Sequence, residues 1–138
     1  MPDDYTGPVD EILVQGPKIY RECRMEEAYK VERGGLVSYY PEADVAGPAT
    51  HLGGIVVGCA DRVKADTVLA KTGAFRLHNA SGSRAVTVFD INKPCCVVTD
   101  RIVGNDDGIS PIAGKVLYLD GDFVVVFVGL EAGREIKS

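Results

Sequence analysis

Tryptophan is missing from this sequence, histidine and methionine occur twice each in 138 residues, and no Cys-x-x-Cys pair is present. These shortages exclude whole classes of chemistry. A zinc centre needs three or four His, Cys or carboxylate ligands at suitable spacing, and His51 and His78 have no such partners. The Gly-x-Ser-x-Gly elbow of a serine hydrolase is also missing: Ser81-Gly82-Ser83 and Gly108-Ile109-Ser110-Pro111 both fail the pattern and read as loops. Lys71-Thr72 resembles the end of a phosphate loop, but Ala70 stands where that loop requires glycine. A Cys–His pair of Cys59 with His51 or His78 would have to be assembled in space, and Cys59 lies in an apolar run where a thiol is usually inert. No catalytic, cofactor-binding or metal-binding residue is therefore assigned, and the chain reads as a non-enzyme.

A basic surplus is absent too. Fifteen Lys and Arg face 20 Asp and Glu, for a formal charge of -5. Residues 1–17 hold Asp3, Asp4, Asp10 and Glu11 without a single Lys or Arg. Such a balance argues against nucleic acid, whose binding is driven by cations displacing counterions, and against an anionic membrane surface. No apolar run approaches the length of a membrane-spanning helix, and an acidic N-terminus is the reverse of a signal peptide's basic one. Synthesis in the cytoplasm without export is the expectation. In a reducing compartment Cys23, Cys59, Cys95 and Cys96 should be buried thiols, and adjacent Cys95 and Cys96 should point to opposite faces of a strand.

What is abundant is glycine, 16 residues, together with aliphatic and β-branched runs. Strands are expected at Leu36–Tyr40, Ile55–Ala60, Thr67–Ala70, Ala74–Leu77, Ala85–Phe89 and Cys96–Thr99, most of them bounded by Gly, Pro, Asn or Asp. The clearest element is a hairpin, Gly114–Leu119 and Phe123–Val128 around Asp120-Gly121-Asp122. Its second strand is apolar on both faces and needs covering on both sides. Arg21–Val31 is compatible with one short helix, though without a clean apolar stripe. The expected class is all-β with at most that helix, a small barrel or sandwich of residues 20–138 carrying an extended N-terminal arm, residues 1–19. Pro2, Pro8 and Pro17 keep the arm from forming a long helix, leaving Glu11–Gln15 as a short strand. Its apolar tooth, Ile12, Leu13 and Val14, must be buried either on the chain's own body or on another subunit.

Two weaker sites remain open. Asp100, Asn105, Asp106 and Asp107 before Gly108 are oxygen donors of the kind calcium takes, but the spacing is not that of an EF-hand and suits a turn better. Asp61-Arg62, Asp90 and Asp100-Arg101 are the groups an intersubunit active site of a trimeric β-barrel hydrolase would draw on, and nothing in the sequence fixes their geometry.

The order of pieces carries a resemblance. Gly35-Leu36-Val37 is followed by Gly54-Ile55-Val56-Val57-Gly58-Cys59-Ala60, then by Ala65-Asp66-Thr67-Val68-Leu69-Ala70-Lys71-Thr72-Gly73-Ala74-Phe75-Arg76-Leu77. Val88-Phe89-Asp90, Cys96-Val97-Val98-Thr99, Ile112-Ala113-Gly114-Lys115-Val116-Leu117 and Val124-Val125-Val126-Phe127-Val128-Gly129-Leu130 complete it. Over residues 34–130 the chain resembles the small capsid cement (decoration) proteins of tailed bacteriophages, some of which carry a recombinase label that the missing phosphate loop contradicts. The tract Asn105–Ser110 and the leader before Tyr20 have no clear counterpart in that pattern. The resemblance implies a β-barrel-like body, a homotrimer on the outside of the phage head, and binding to the major capsid protein at three-fold and quasi-three-fold junctions. It also implies an N-terminal capsid contact, which makes Tyr5, Ile12, Leu13, Val14 and Tyr20 the candidate capsid or subunit interface. A generic small-barrel binding module is the competing reading.

Overall fold

The computed structural model describes residues 5–12, 19–25, 31–49 and 54–128. Eleven strands run through these segments: β1 Asp10–Ile12, β2 Tyr20–Arg24, β3 Leu36–Tyr40, β4 Val45–Pro48, β5 Ile55–Val63, β6 Thr67–Lys71, β7 Gly73–Asn79, β8 Pro94–Val97, β9 Ile102–Asn105, β10 Ile112–Asp120 and β11 Phe123–Val128. The chain is all-β, as its composition predicts. Helix among the described residues is confined to two short 3-10 turns, Gly82–Arg84 and Val88–Asp90.

One sheet closes on itself. Its order is β7-β11-β10-β8-β9, and β9 returns to β7 through a parallel pairing of His78 with Ile102 and Asn79 with Val103. The result is a five-stranded barrel, a closure that removes strand edges prone to unwanted pairing. The β10–β11 hairpin turns as its Asp-Gly predicts: Asp120 pairs with Phe123, and Gly121 takes the positive φ of 61°. β11 is covered on both faces, because Val124, Val126 and Val128 enter the core while Val125, on the opposite face, is also fully buried. Each such valine contributes roughly 1.5–2 kcal/mol relative to exposure.

The second sheet has the order β2-β6-β5-β3-β4, and a parallel bridge from Met25 to Ala46 draws its two ends together. β3 and β5 are the common wall between two cores. Leu36, Val56 and Cys59 face the barrel residues Phe75, Leu77, Val116 and Val126, whereas Val37, Val57 and Ala60 face Cys23, Met25, Val68 and Ala70. Small side chains are what this wall requires. At Gly58 a Cβ would sit 2.5 Å from the Lys71 carbonyl oxygen, and φ is +152° there.

Three local expectations are corrected. Tyr20–Arg24 is a strand paired with β6 and not the start of a helix, because every second side chain, Cys23 and then Met25, enters the smaller core; residues 26–30 lie outside the described residues. Ala85–Phe89 is not a strand: the side chain of Asn79 takes up both the N–H and the C=O of Val86, and the chain then turns through Val88–Asp90. The strand expected at Cys96–Thr99 runs instead over Pro94–Val97, since Val98 and Thr99 both donate to the Ile102 carbonyl in the turn to β9.

At Gly114 a Cβ would collide with the carbonyl of Phe127 on the neighbouring strand, whereas at Gly121 it would project into open space. Gly114→Val should therefore destabilise the protein by about 2–3 kcal/mol. Gly121→Ala should cost only the left-handed backbone penalty, roughly 1 kcal/mol. Urea unfolding midpoints test this ordering.

Candidate functional site: the seam beneath the arm

The arm is docked on its own barrel. β1 pairs antiparallel with β7, Asp10 opposite Arg76, Glu11 opposite Phe75 and Ile12 opposite Ala74. Val9 packs against the larger core. Tyr5 stacks on His78, ring centroids 4.6 Å apart, and meets the edge of Phe123 at 5.6 Å. Phe123 in turn carries the Arg76 guanidinium over its face at 4.0 Å. Of the candidate interface residues, Tyr5 and Ile12 are thus half-buried in this intramolecular contact, while Tyr20 on β2 is 50% exposed. Leu13 and Val14 lie outside the described residues.

Two polar ties lie beneath the arm. Lys71 Nζ donates to Glu11 Oε1 at 2.6 Å, a bond that raises the lysine's pKa. Arg101, 12% exposed, reaches across three segments: its guanidinium donates to the Gly7 carbonyl at 2.8 Å and to the Arg33 carbonyl at 3.0 Å. Its neighbour Asp100 is held against Gly35, where a Cβ would lie 2.6 Å from the carboxylate, and burial pushes the Asp100 pKa up while Arg101 opposes the rise. Between arm and body lies an open cleft of about 310 Å³, lined by Glu11, Arg33, Asp61, Lys71 and Arg101 among others. Cys59 also lines it, and burial pushes that thiol's pKa up.

The remaining candidates are dispersed. His78 faces outward under Tyr5, while Cys59 belongs to the core on the other side of the barrel wall, so these two do not form a pair. His51 lies outside the described residues. Asp90 is spent on the Val88–Asp90 turn, where its carboxylate accepts from the Thr87 N–H at 2.9 Å, and it does not join Asp61 or Asp100. All four cysteines are free and buried, with Cys95 turned into the core and Cys96 directed at Asp106 and the Ser110 carbonyl.

The acidic loop is separated from Asp100 and uses its oxygens internally. Asp107 accepts from the backbone of Ile109 and Ser110 and from the Ser110 hydroxyl, at 2.9, 2.8 and 2.7 Å, which holds its carboxyl well below the usual carboxylate range. Asp106 accepts from Gly108 N–H at 2.9 Å. Cys96, Asp106 and Asp107 are close enough to hold a cation, but Arg84 lies 3.6 Å from Asp107, and burial pushes the Cys96 thiol up to about 11. The two carboxylates also lock the turn from Asp106 to Ser110. Sequence reasoning identified the turn composition and named Arg101 beside Asp100 only as a group for an intersubunit site; its tie between arm and body depends on contacts 68 and 94 residues distant.

Comparison of the chain with protein-family models, curated proteins and solved structures gives no match.

Arg101→Ala should accelerate amide exchange at both Asp10–Ile12 and Gly34–Gly35, while Tyr5→Ala should accelerate only the first; hydrogen-exchange mass spectrometry separates the two patterns. Asp107 generates an acid dependence. Its folded-state pKa lies below the unfolded value, so its stabilisation is complete above about pH 4 and is lost as pH falls through the folded value. Asp107→Asn should lower Tm at pH 7 by roughly 3–5 °C, and this difference from wild type should shrink progressively below about pH 4. Thermal melts across that range provide the check.

Proposed function

We propose that the chain is a structural virion protein, a capsid cement protein that binds the outer surface of a phage head. Made in the host cytoplasm, it acts as a homotrimer at three-fold and quasi-three-fold junctions of the major capsid protein, where it stabilises the expanded shell without cofactor or catalysis. The observation that carries this reading is the mode of attachment of the arm. A three-residue strand is held on the barrel edge by main-chain pairing and two ion pairs, Lys71 with Glu11 and Arg76 with Asp10, and the segment before it by one bond from Arg101 to the Gly7 carbonyl. Such an added strand is a means of joining one protein surface to another through directional main-chain hydrogen bonds. Where the structure describes them, the residues that carry the sequence resemblance lie in or beside β3, β5 to β8, β10 and β11 and in the Val88–Asp90 turn.

The energetics of this role are modest per copy. A ligand that binds the assembled shell but not its dispersed subunits stabilises the shell by mass action. Three linked contacts raise the avidity of a trimer well above that of one subunit. A small-ligand binding module is the second reading, favoured by the cationic and anionic groups that line the cleft of about 310 Å³.

Co-sedimentation of the purified protein with cement-free, expanded heads tests the proposal. Binding should saturate near one copy per capsid subunit and weaken on deletion of residues 1–17. Failure of the wild-type protein to bind heads of its source phage would rule out the cement role and turn attention to ligands of the cleft.

A further inference from the structure

The most exposed large apolar side chain among the described residues is Phe89, at 81%, with Val88 at 62% and Ile91 at 36% beside it. All three lie on the connection between β7 and β8, in and just after the Val88–Asp90 turn. It is a rigid connection. Asn79 holds Val86 through both of its main-chain groups, at 2.9 and 2.8 Å, and Val86 itself is core. Thr87 and Asp90 form a reciprocal cap around the turn: the Thr87 hydroxyl accepts from Phe89 N–H, and the Asp90 carboxylate accepts from Thr87 N–H. Beyond it, Asn92 in the left-handed region (φ 69°) donates to the Val116 carbonyl, and Val116 N–H donates back to Lys93. An aromatic ring in water is thus presented on a turn fixed from both ends, so most of its ordering cost precedes any binding event. Folding does not explain it, because the ring buries little against its own chain.

The charges beside the turn give the partner's chemistry. Lys93 and Lys115 are exposed on paired segments, Lys115 opposite Pro94, and outnumber the one carboxylate of the turn, Asp90, which keeps its charge while it accepts the cap hydrogen bond. This is a locally cationic spot on a chain whose formal charge is -5. A two-fold contact of the patch with itself would oppose lysine to lysine, which disfavours self-pairing. A complementary site is an apolar pocket wide enough for a phenyl ring and rimmed by carboxylates.

We infer that the Val88–Ile91 turn is a protein-docking anchor whose phenyl ring at Phe89 inserts into an acidic-rimmed apolar pocket of the shell subunit. The identity of that partner rests on the proposed function; the anchor itself rests on the exposure and rigidity of the turn. Aromatic side chains are enriched at the buried centre of protein interfaces, with polar groups around them at the rim. The arm and this turn are then separate contacts.

The test uses the full chain and expanded heads. Phe89→Asp should weaken head binding by roughly 30-fold or more while leaving the thermal melt and the sedimentation coefficient of the free protein unchanged. Phe89→Leu should retain most of the affinity. The double variant Lys93→Glu, Lys115→Glu should weaken binding and flatten its salt dependence. Wild-type binding that Phe89→Asp leaves unaltered overturns the anchor but not the cement role. Loss of self-association in Phe89→Asp also overturns it, because the occupant is then a second copy. Absence of any wild-type binding to heads sinks the cement role and this partner together.

Discussion

The edge of β7 is the constraint on which the other parts of the molecule depend. One edge is paired along its length with β11, from Phe123 opposite His78 to Val128 opposite Gly73. The other edge is divided. β9 closes the barrel against His78 and Asn79 only, leaving Ala74, Phe75 and Arg76 without a barrel partner. An unpaired main-chain edge over buried apolar residues is costly and invites foreign strands. β1 occupies that stretch, residue for residue. The arm thus completes a ring whose own five strands leave part of an edge open.

That arrangement explains why the seam beneath the arm is polar. Arg101 sits immediately before β9, the strand that closes the ring, and from there its guanidinium reaches the arm at Gly7 and the turn before β3 at Arg33. One largely buried cation therefore joins the closing strand, the arm and the wall shared by the two cores. Its charge is balanced locally by Asp100, 4.0 Å away, and the carbonyls it satisfies are ones that would otherwise be left weakly paired at the seam. The cleft's charged lining is largely the lining of a joint.

Much of the fold was legible in the sequence, for a physical reason. The hairpin around Asp120-Gly121-Asp122 and the runs at Leu36–Tyr40, Ile55–Ala60, Thr67–Ala70 and Ala74–Leu77 combine β-branched side chains with local turn chemistry, and each is a strand. Tyr20–Arg24 was obscured because it is rich in helix-compatible charged residues and only one of its residues, Cys23, is buried, with Met25 following just beyond. Val45–Pro48 and Ile102–Asn105 are four residues each and include glycine or proline, so their strand character comes from neighbours rather than from their own composition. The Ala85–Phe89 run looks like a strand by composition, but Asn79 takes Val86's hydrogen-bonding groups and diverts the chain into a turn. At the seam, Tyr5 was legible as an arm aromatic. Its stacking on His78 and the reach of Arg101 were not, because both join residues distant in sequence.

The arm and the Val88–Ile91 turn differ in what they offer a partner. The arm's contacts are main-chain hydrogen bonds, the Lys71–Glu11 pair, the Arg101 bond to Gly7 and the packing of Val9 and Tyr5. In the proposed cement role it would offer a directional main-chain contact, opposed by the cost of the β7 edge it would leave unpaired. The turn's rigidity and apolar surface favour slow dissociation once the ring is buried, since breaking that contact re-exposes the ring without a compensating gain in chain entropy. In the proposed trimer, a directional contact and a compact apolar one would cooperate through effective concentration. Orientation would come from the strand, and retention from the ring.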